Sequence, residues 1–452
     1  MLPSVSIVIP VYNSAATLKL CLEHLRASSH APLETLVVDD GSTDDSPQIA
    51  QSMGARVLSS GGRLGPARAR NIGARAARGD IVFFLDADVC VHADTVARVA
   101  AGFAEDPALD ALIGSYDTSP GARDFLSQYR NLMHCYVHQH GKRDACTFWS
   151  GCGAIRREVL LRHAGFDESY QRPAIEDIEL GYRLRAAGHK LILDKEVQVK
   201  HLKRWTFWSL LKSDIVDRGI PWTELILRDR NMPNDLNLEI SQRVSVALAF
   251  MLVAVAIAAA IYWGAYFLVP LMALLVLILS RYWLEFANGS RSAPVLLAIG
   301  SLVGLIVWLA IEHRIRYVTY PLILGCLLLL LRHRYEPKSG RWQRLAELAV
   351  AVYIVGVIVY MSLHLPYHWI IFAFFVVGAL LLIINNRFYL FLAARRGRLF
   401  ALAAVPFHIL YHLYNGFSLV AGIIHYSWRR LFERRKPHNA PPSPAAGPPV
   451  RR

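Results

Sequence analysis

Over the first 200 positions, short apolar runs that stop at acidic or turn residues alternate with stretches of helical spacing. Residues 5–9 form a run of this kind and end at Pro10, which reads as a strand buried on both faces. Behind it, Leu18, Leu22 and Leu25 share one helical face, with Ser14 as a candidate N-cap. Further strands are predicted at 33–38, 55–58 and 81–85, and later at 191–193 and 197–199. The turn Asp40-Gly41-Ser42-Thr43 launches a helix, and small residues make another at 66–77. Helices are also predicted at 158–163 and 176–187, the second closed by Gly188. This alternation predicts a mostly parallel α/β sheet with helices on both faces.

Beyond Arg243 the pattern changes. Six apolar stretches, at 244–262, 267–283, 294–311, 318–331, 345–363 and 369–384, are long enough to read as membrane spans. A seventh, at 399–426, is interrupted by Pro406 and carries His408, His412 and Asn415. A crossing there would put the basic tail outside, so it is read as re-entrant or interfacial. Just before the spans, residues 203–212 mix Trp205, Phe207 and Trp208 with Lys203, Arg204 and Lys212. That mixture suits a helix lying in the membrane interface, or an amphipathic helix packed on its own domain. The expected organisation is an α/β domain at 1–202, amphipathic helices at 203–240, an all-α transmembrane domain at 241–428 and a disordered basic, Pro-rich tail at 429–452.

Composition agrees with this division. Of 452 residues, 54% are hydrophobic and 19% charged, too apolar for an ordinary soluble protein. The net charge of +14 lies largely beside apolar stretches, as at Arg332, Arg334, Arg395 and Arg396. Membrane orientation accounts for it more simply than nucleic-acid binding, with the basic loops and the N-terminal domain on the cytoplasmic side. Six scattered cysteines without a Cys-x-x-Cys pattern read as reduced and structural. The chain enters a strand at Val5 without a charged segment and an apolar core, so no cleaved leader is expected. These features point to the plasma (inner) membrane, with the α/β domain in the cytoplasm.

Three acidic clusters carry candidate chemistry: Asp39-Asp40, Asp86-Ala87-Asp88 and Glu176-Asp177. The first two fall where predicted strands end, the place where such sheets bind ligands. Carboxylates one residue apart suit a hard divalent cation, and a cation with oxygen ligands is a way to hold a diphosphate. Bland readings stand beside each: a turn and helix cap for Asp40, a surface turn for the second pair, an acid-rich helix start for the third.

The segments Ser6 to Asn13, Val37 to Asp44, Ala69 to Gly73, Phe84 to Asp88 and Glu176-Asp177, in that order and spacing, resemble the family 2 glycosyltransferases of the GT-A fold. Among them are lipid-directed sugar transferases and polysaccharide synthases. The resemblance covers about the first 200 residues. It implies an inverting transferase that uses a nucleotide sugar, UDP-linked in preference to GDP-linked, with Mg2+ or Mn2+. Carried over by position, Asp39 would accept bonds from the nucleobase beside Pro10, Tyr12 and Asn13. Asp88 would ligate the metal, and Asp86 would contact the ribose or the metal. Asp177 would be the catalytic base, with Glu176 orienting it. Arg70 would support the donor, unless it and Arg68 are solvated helix positions. Trp149, Gly151 and Gly153 lie where the family forms its acceptor pocket. His201-Leu202-Lys203-Arg204-Trp205 departs from the Gln-x-x-Arg-Trp pattern of processive synthases by its histidine. Arg204 and Trp205 remain acceptor candidates, and His201 is a candidate metal ligand. The expected function is sugar transfer to a lipid or glycan acceptor at the membrane. A processive synthase and an inactive scaffold or transporter are the alternatives.

Overall fold

The computed structural model describes residues 2–263 and 368–433. The strands are β1 (Val5–Val11), β2 (Glu34–Asp39), β3 (Arg56–Ser59), β4 (Ile81–Leu85), β5 (Val89–Val91), β6 (Ala111–Tyr116), β7 (Cys152–Arg156) and β8 (Leu191–His201). They form one sheet in the order β3-β2-β1-β4-β7-β6-β8-β5. The first four strands are parallel, as the alternation predicts. The second half is mixed, because β7 runs antiparallel to both β4 and β6.

Helices of the first half alternate with the strands: α1 (Ala15–Arg26), α2 (Ser46–Ser52) and α3 (Pro66–Ala76). After β5 come α4 (Thr95–Glu105), α5 (Phe125–His140), α6 (Arg157–Arg162) and α7 (Glu176–Ala186). The residues predicted as two strands near 191–199 form the single strand β8. Strands β5 to β7 and helices α4 and α5 were not foreseen. β6 reads Ala-Leu-Ile-Gly-Ser-Tyr and is buried throughout, so it shows neither alternation nor a pure apolar run. β1 lies between β2 and β4, so chain connections leave it in opposite directions. That reversal opens a crevice at the carboxyl ends of the strands. Asp39 ends β2, and Asp86 follows β4 directly.

The chain then continues through α8 (Phe207–Lys212), a π-helical turn (Ser213–Gly219) and α9 (Ile220–Asp229) to α10 (Ile240–Trp263). The later helices are α11 (His368–Ile384), α12 (Asn386–Arg396) and α13 (Arg398–Glu433). Ile240–Tyr262 and Arg398–Leu431 are long and apolar enough to cross a membrane. Phe372–Ile384 and Asn386–Arg396 qualify only together, with a bend of 65° between them. The stretches predicted at 267–283, 294–311, 318–331 and 345–363, and the tail from 434, lie outside the described residues.

Helix α13 corrects one expectation: it runs unbroken through Pro406. Its apolar window is 39% buried against 17% for that of α10, because α13 docks on the α/β domain. Phe125 of α5 packs against Phe400 at 4.9 Å and Phe407 at 5.2 Å between ring centres. A buried ion pair joins Arg130 of α5 to Asp214, and the Tyr414 hydroxyl donates to the same carboxylate. Arg396 also reaches the domain, donating to Gln128 Oε1 at 2.6 Å and to the Thr118 carbonyl at 3.0 Å. Such a dock combines an apolar contact with paired buried polar groups, which leaves no charge unmatched at its centre.

Candidate active site

Three loops meet at the carboxyl ends of β1, β2 and β4. Asn13, in the left-handed region at φ 48°, follows β1. Its Oδ1 accepts the Thr43 amide at 2.7 Å, and its own amide donates to Ser42 Oγ at 3.0 Å. Asp39 Oδ1 accepts the Ser42 amide at 3.0 Å and remains half-exposed. The Arg63 guanidinium lies 4.2 Å from the centre of the Tyr12 ring. Pro10, Tyr12, Asn13 and Asp39 therefore share one rim, together with Arg63, which the sequence reading missed. Its position in Gly61-Gly62-Arg63-Leu64-Gly65 was the available signal. Asp40 is buried and accepts the Leu64 and Gly65 amides, both at 2.9 Å, and the Ser60 hydroxyl at 2.8 Å. It clasps the Arg63 loop rather than facing the crevice.

Arg70 corrects the expectation of a donor contact. Helix α3 buries it to 5% exposure, and its two terminal nitrogens divide between two carboxylates. Nη1 meets Glu176 Oε1 at 2.7 Å and Nη2 meets Asp86 Oδ1 at 2.9 Å. Arg70 thus ties two of the acidic clusters together. Burial opposes its charge, but Asp86, Glu176 and Asp177 outweigh burial and raise its pKa. Arg68 is exposed and lies 4.0 Å from Glu168, so it is a solvated position.

Strand pairing brings His201 to Asp88, for β8 pairs with β5 with His201 opposite Val89. His201 Nε2 lies 3.5 Å from Asp88 Oδ2. On its other side Nδ1 is 2.6 Å from Asn131 Oδ1, and the Tyr116 ring stacks on the imidazole at 4.2 Å. Asn131 and Tyr116 were also missed. Tyr116 precedes Asp117 at the end of a buried run, the same signature that marked Asp39. Burial disfavours the charge on Asp88, but His201 and Lys203 outweigh it and hold the carboxyl below its usual range.

Asp177 sits at the start of α7. Its Oδ2 accepts both the amide and the hydroxyl of Ser150, each at 3.1 Å. Burial first, and then the neighbouring Glu176, push its pKa up to about 6, against the opposing pull of Arg70 and Arg218. Trp149 lies beside it, in perpendicular contact with Tyr116 and His138, both at 4.7 Å. Gly151 and Gly153 are required by internal packing. A Cβ on Gly153 would come within 2.3 Å of the Trp149 carbonyl, and one on Gly151 within 2.9 Å of the Trp149 indole nitrogen.

Trp205 is a further correction. It is 6% exposed and packs with Phe125, Tyr129 and Phe400 rather than facing a sugar or lipid headgroups. Phe207 and Trp208 of α8 are the exposed aromatics there. Arg204 is exposed, with Nε 3.6 Å from Asp124.

Asp177 also lines a cavity of about 370 Å3. Trp149 and Ile178 of the α/β domain form one wall, and Trp222 of α9, Val246 of α10 and Tyr411 of α13 form others. Among the described residues no three His, Cys, Asp or Glu side chains converge on one point. Asp88 and His201 nevertheless offer two donors side by side. That set fits a hard cation which takes its remaining ligands from phosphate and water.

Residues 6–164 match the family described as Glycosyl transferase family 2. That part of the chain is similar to family 2 glycosyltransferase domains. Its sheet is the Rossmann-like α/β sheet of the GT-A fold. Among curated relatives, the glycosyltransferase GlyG of Streptococcus pneumoniae is 33% identical over 117 residues, covering 25% of this chain and 38% of GlyG. The validoxylamine A glucosyltransferase of Streptomyces hygroscopicus subsp. limoneus is 29% identical over 230 residues, covering 43% of this chain and 50% of that protein. The chain thus spans half or less of the length of these relatives. Among solved structures, a mannosyltransferase of Pyrobaculum calidifontis in complex with GDP-Man and Mn2+ aligns at a TM-score of 0.45 and 20% identity. That alignment covers 72% of this chain and 88% of the other, too loose a likeness to argue from.

Proposed function

We propose that the family 2 domain transfers a sugar, with inversion, from a nucleotide-sugar donor to a hydroxyl of a lipid or lipid-linked acceptor at the cytoplasmic face of the inner membrane. The observation that carries this reading is Asp177. A carboxylate with a pKa of about 6, fixed by Ser150, opens onto a cavity shared with α10 and α13. A base is most useful when its pKa lies near the working pH.

The donor's base and ribose would lie along Tyr12, Asn13, Asp39 and Arg63, with a UDP-sugar favoured over a GDP-sugar. Its diphosphate would lie toward Asp86 and Asp88. Asp88 and His201 would hold Mg2+ or Mn2+, which when bound offsets negative charge on the departing diphosphate. Arg70 keeps Asp86 and Glu176 at fixed positions. The acceptor oxygen attacks the anomeric carbon from the side opposite the nucleotide. The bond from that carbon to the diphosphate oxygen breaks, and its electron pair leaves with the diphosphate. The acceptor proton passes to Asp177. One in-line displacement inverts the anomeric centre.

The direct test uses the full chain in lipid nanodiscs, a panel of UDP- and GDP-sugars and a membrane lipid extract. Nucleotide release should accompany the appearance of a hexose-bearing lipid by mass spectrometry. Release that needs only water-soluble acceptors would sink the lipid assignment. In the same assay a chelator should abolish transfer, and Mn2+ or Mg2+ should restore it to the wild type but not to Asp88→Ala. Full activity in excess chelator would remove the metal from the reading.

A further inference from the structure

Asn131 of α5 is 1% exposed and directly follows Arg130, whose ion pair with Asp214 belongs to the dock with α13. Its Nδ2 donates to the Lys203 carbonyl at 3.4 Å. A carbonyl oxygen only accepts, so this contact sets which way the amide points. Oδ1 is then the atom 2.6 Å from His201 Nδ1. An amide oxygen also only accepts, so Nδ1 must carry the hydrogen of that bond. Histidine binds a metal as the neutral ring, and in that form the lone pair is left on Nε2. Nε2 lies 3.5 Å from Asp88 Oδ2, beyond the roughly 2.7–2.9 Å of a good charge-assisted hydrogen bond. Two donor atoms, each roughly 2.0–2.2 Å from one ion, stand about 3–3.5 Å apart. The Tyr116 ring, stacked within 8° of parallel, fixes the plane of the imidazole. Asn131 fixes its rotation within that plane.

We propose that Asn131 is a positioning residue for the divalent cation: by accepting from Nδ1 it selects the His201 tautomer whose Nε2 lone pair stands beside Asp88. This rests on the reading of Asp88 and His201 as the cation's ligands and adds the residue that prepares the second of them. A hydrogen bond on the far nitrogen of a liganding histidine sets both the orientation and the basicity of the ring. Asn131 supplies that bond from α5, 70 residues away in the chain. The same helix packs on α13 through Phe125 and on α12 through Gln128, which accepts from Arg396. The element that receives the later helices therefore also sets the histidine.

The test is Mn2+ binding to the full chain in phosphatidylcholine nanodiscs, without donor, followed by electron paramagnetic resonance. The free-ion signal gives the affinity, and nitrogen modulation in the pulsed spectrum reports a histidine on the bound ion. Wild type should show that modulation, and His201→Gln should lose it. Asn131→Leu removes the acceptor at similar volume. It should bind Mn2+ roughly 10- to 100-fold more weakly, the usual cost of losing such a partner, with the modulation diminished. Asn131→Asp restores an acceptor and should bind at least as tightly as wild type with the modulation intact. A purely structural role for Asn131 predicts the opposite, because a buried carboxylate disturbs the core more than an amide does. Wild-type affinity and modulation in Asn131→Leu would overturn the proposal. So would a loss of about tenfold or more in folded Asn131→Asp, which decides the matter alone if Asn131→Leu does not fold. Mn2+ held by wild type without nitrogen modulation would overturn it too, while leaving Asp88 as a ligand. Binding of no Mn2+ by wild type would overturn both the proposal and the metal reading. A chain that shows the expected Mn2+ series yet releases nucleotide from no donor keeps the role of Asn131 and loses the transferase reading.

Discussion

Replacing Asp177 with Asn should lower turnover by roughly 10²–10⁴-fold, the usual contribution of a positioned general base, with donor affinity unchanged. Asparagine keeps the shape and can still accept from Ser150, which bonds the carboxylate through its amide and hydroxyl. Only the proton-accepting charge is lost. Wild-type turnover should fall on acidification below about 6, where the carboxyl binds its proton. The variant should lack that acid limb. Stability should move the other way. The folded-state pKa is raised above the unfolded value, so the native state binds the proton more tightly. Native stability therefore rises as pH falls through about 6 and is reduced above it. At pH 7.5 Asp177→Asn should melt higher than wild type, by on the order of 1 kcal/mol after allowance for partial exposure. The gap should narrow below pH 6 and close near pH 4, the range of an ordinary aspartate. Near-normal turnover in the variant would remove Asp177 as the base, or point to an acceptor that needs no deprotonation. A lower melting point would show that burial does not strain the carboxylate.

Arg70→Met should cost about 3–5 kcal/mol of stability, the range seen when one partner of a buried ion pair is removed. Glu176 has a side chain only 5% exposed and would keep its charge without its cation. Asp86 would lose its partner at the same time. Chemical denaturation with the slope checked against wild type reads this directly. Arg70→Lys should recover only part of the loss, since a single ammonium cannot fork between two carboxylates. Arg70→Met combined with Glu176→Leu should recover more, because the stranded charge goes as well. Wild-type stability in Arg70→Met with a large rise in donor dissociation constant would restore the direct donor contact and reject the bridging role.

The front half of the sheet is written in local pattern. The runs that became β1, β2 and β4 are continuous and apolar because both their faces are buried, and the acids stand where burial ends. That rule is local, so Asp39, Asp86 and Asp88 were legible as a crevice. The approximate places of α10, α11 and α13 were legible for the same reason, from length and composition. What these groups touch follows only from how the chain packs. Arg70 stands in a helix of small residues, with nothing in its neighbourhood to distinguish it from the solvated Arg68; its partners are 16 and 106 residues away. Trp205 looks like an interfacial aromatic until α5 and α13 close over it. His201 acquires Asp88 only through the pairing of β8 with β5. The raised pKa of Asp177 needs the enclosure of its carboxyl and the charge of Glu176, and enclosure depends on packing around the whole site. Periodicity records which face of an element is buried. What buries that face, and which charge lies across the gap, is set by chain crossings that the local pattern does not encode.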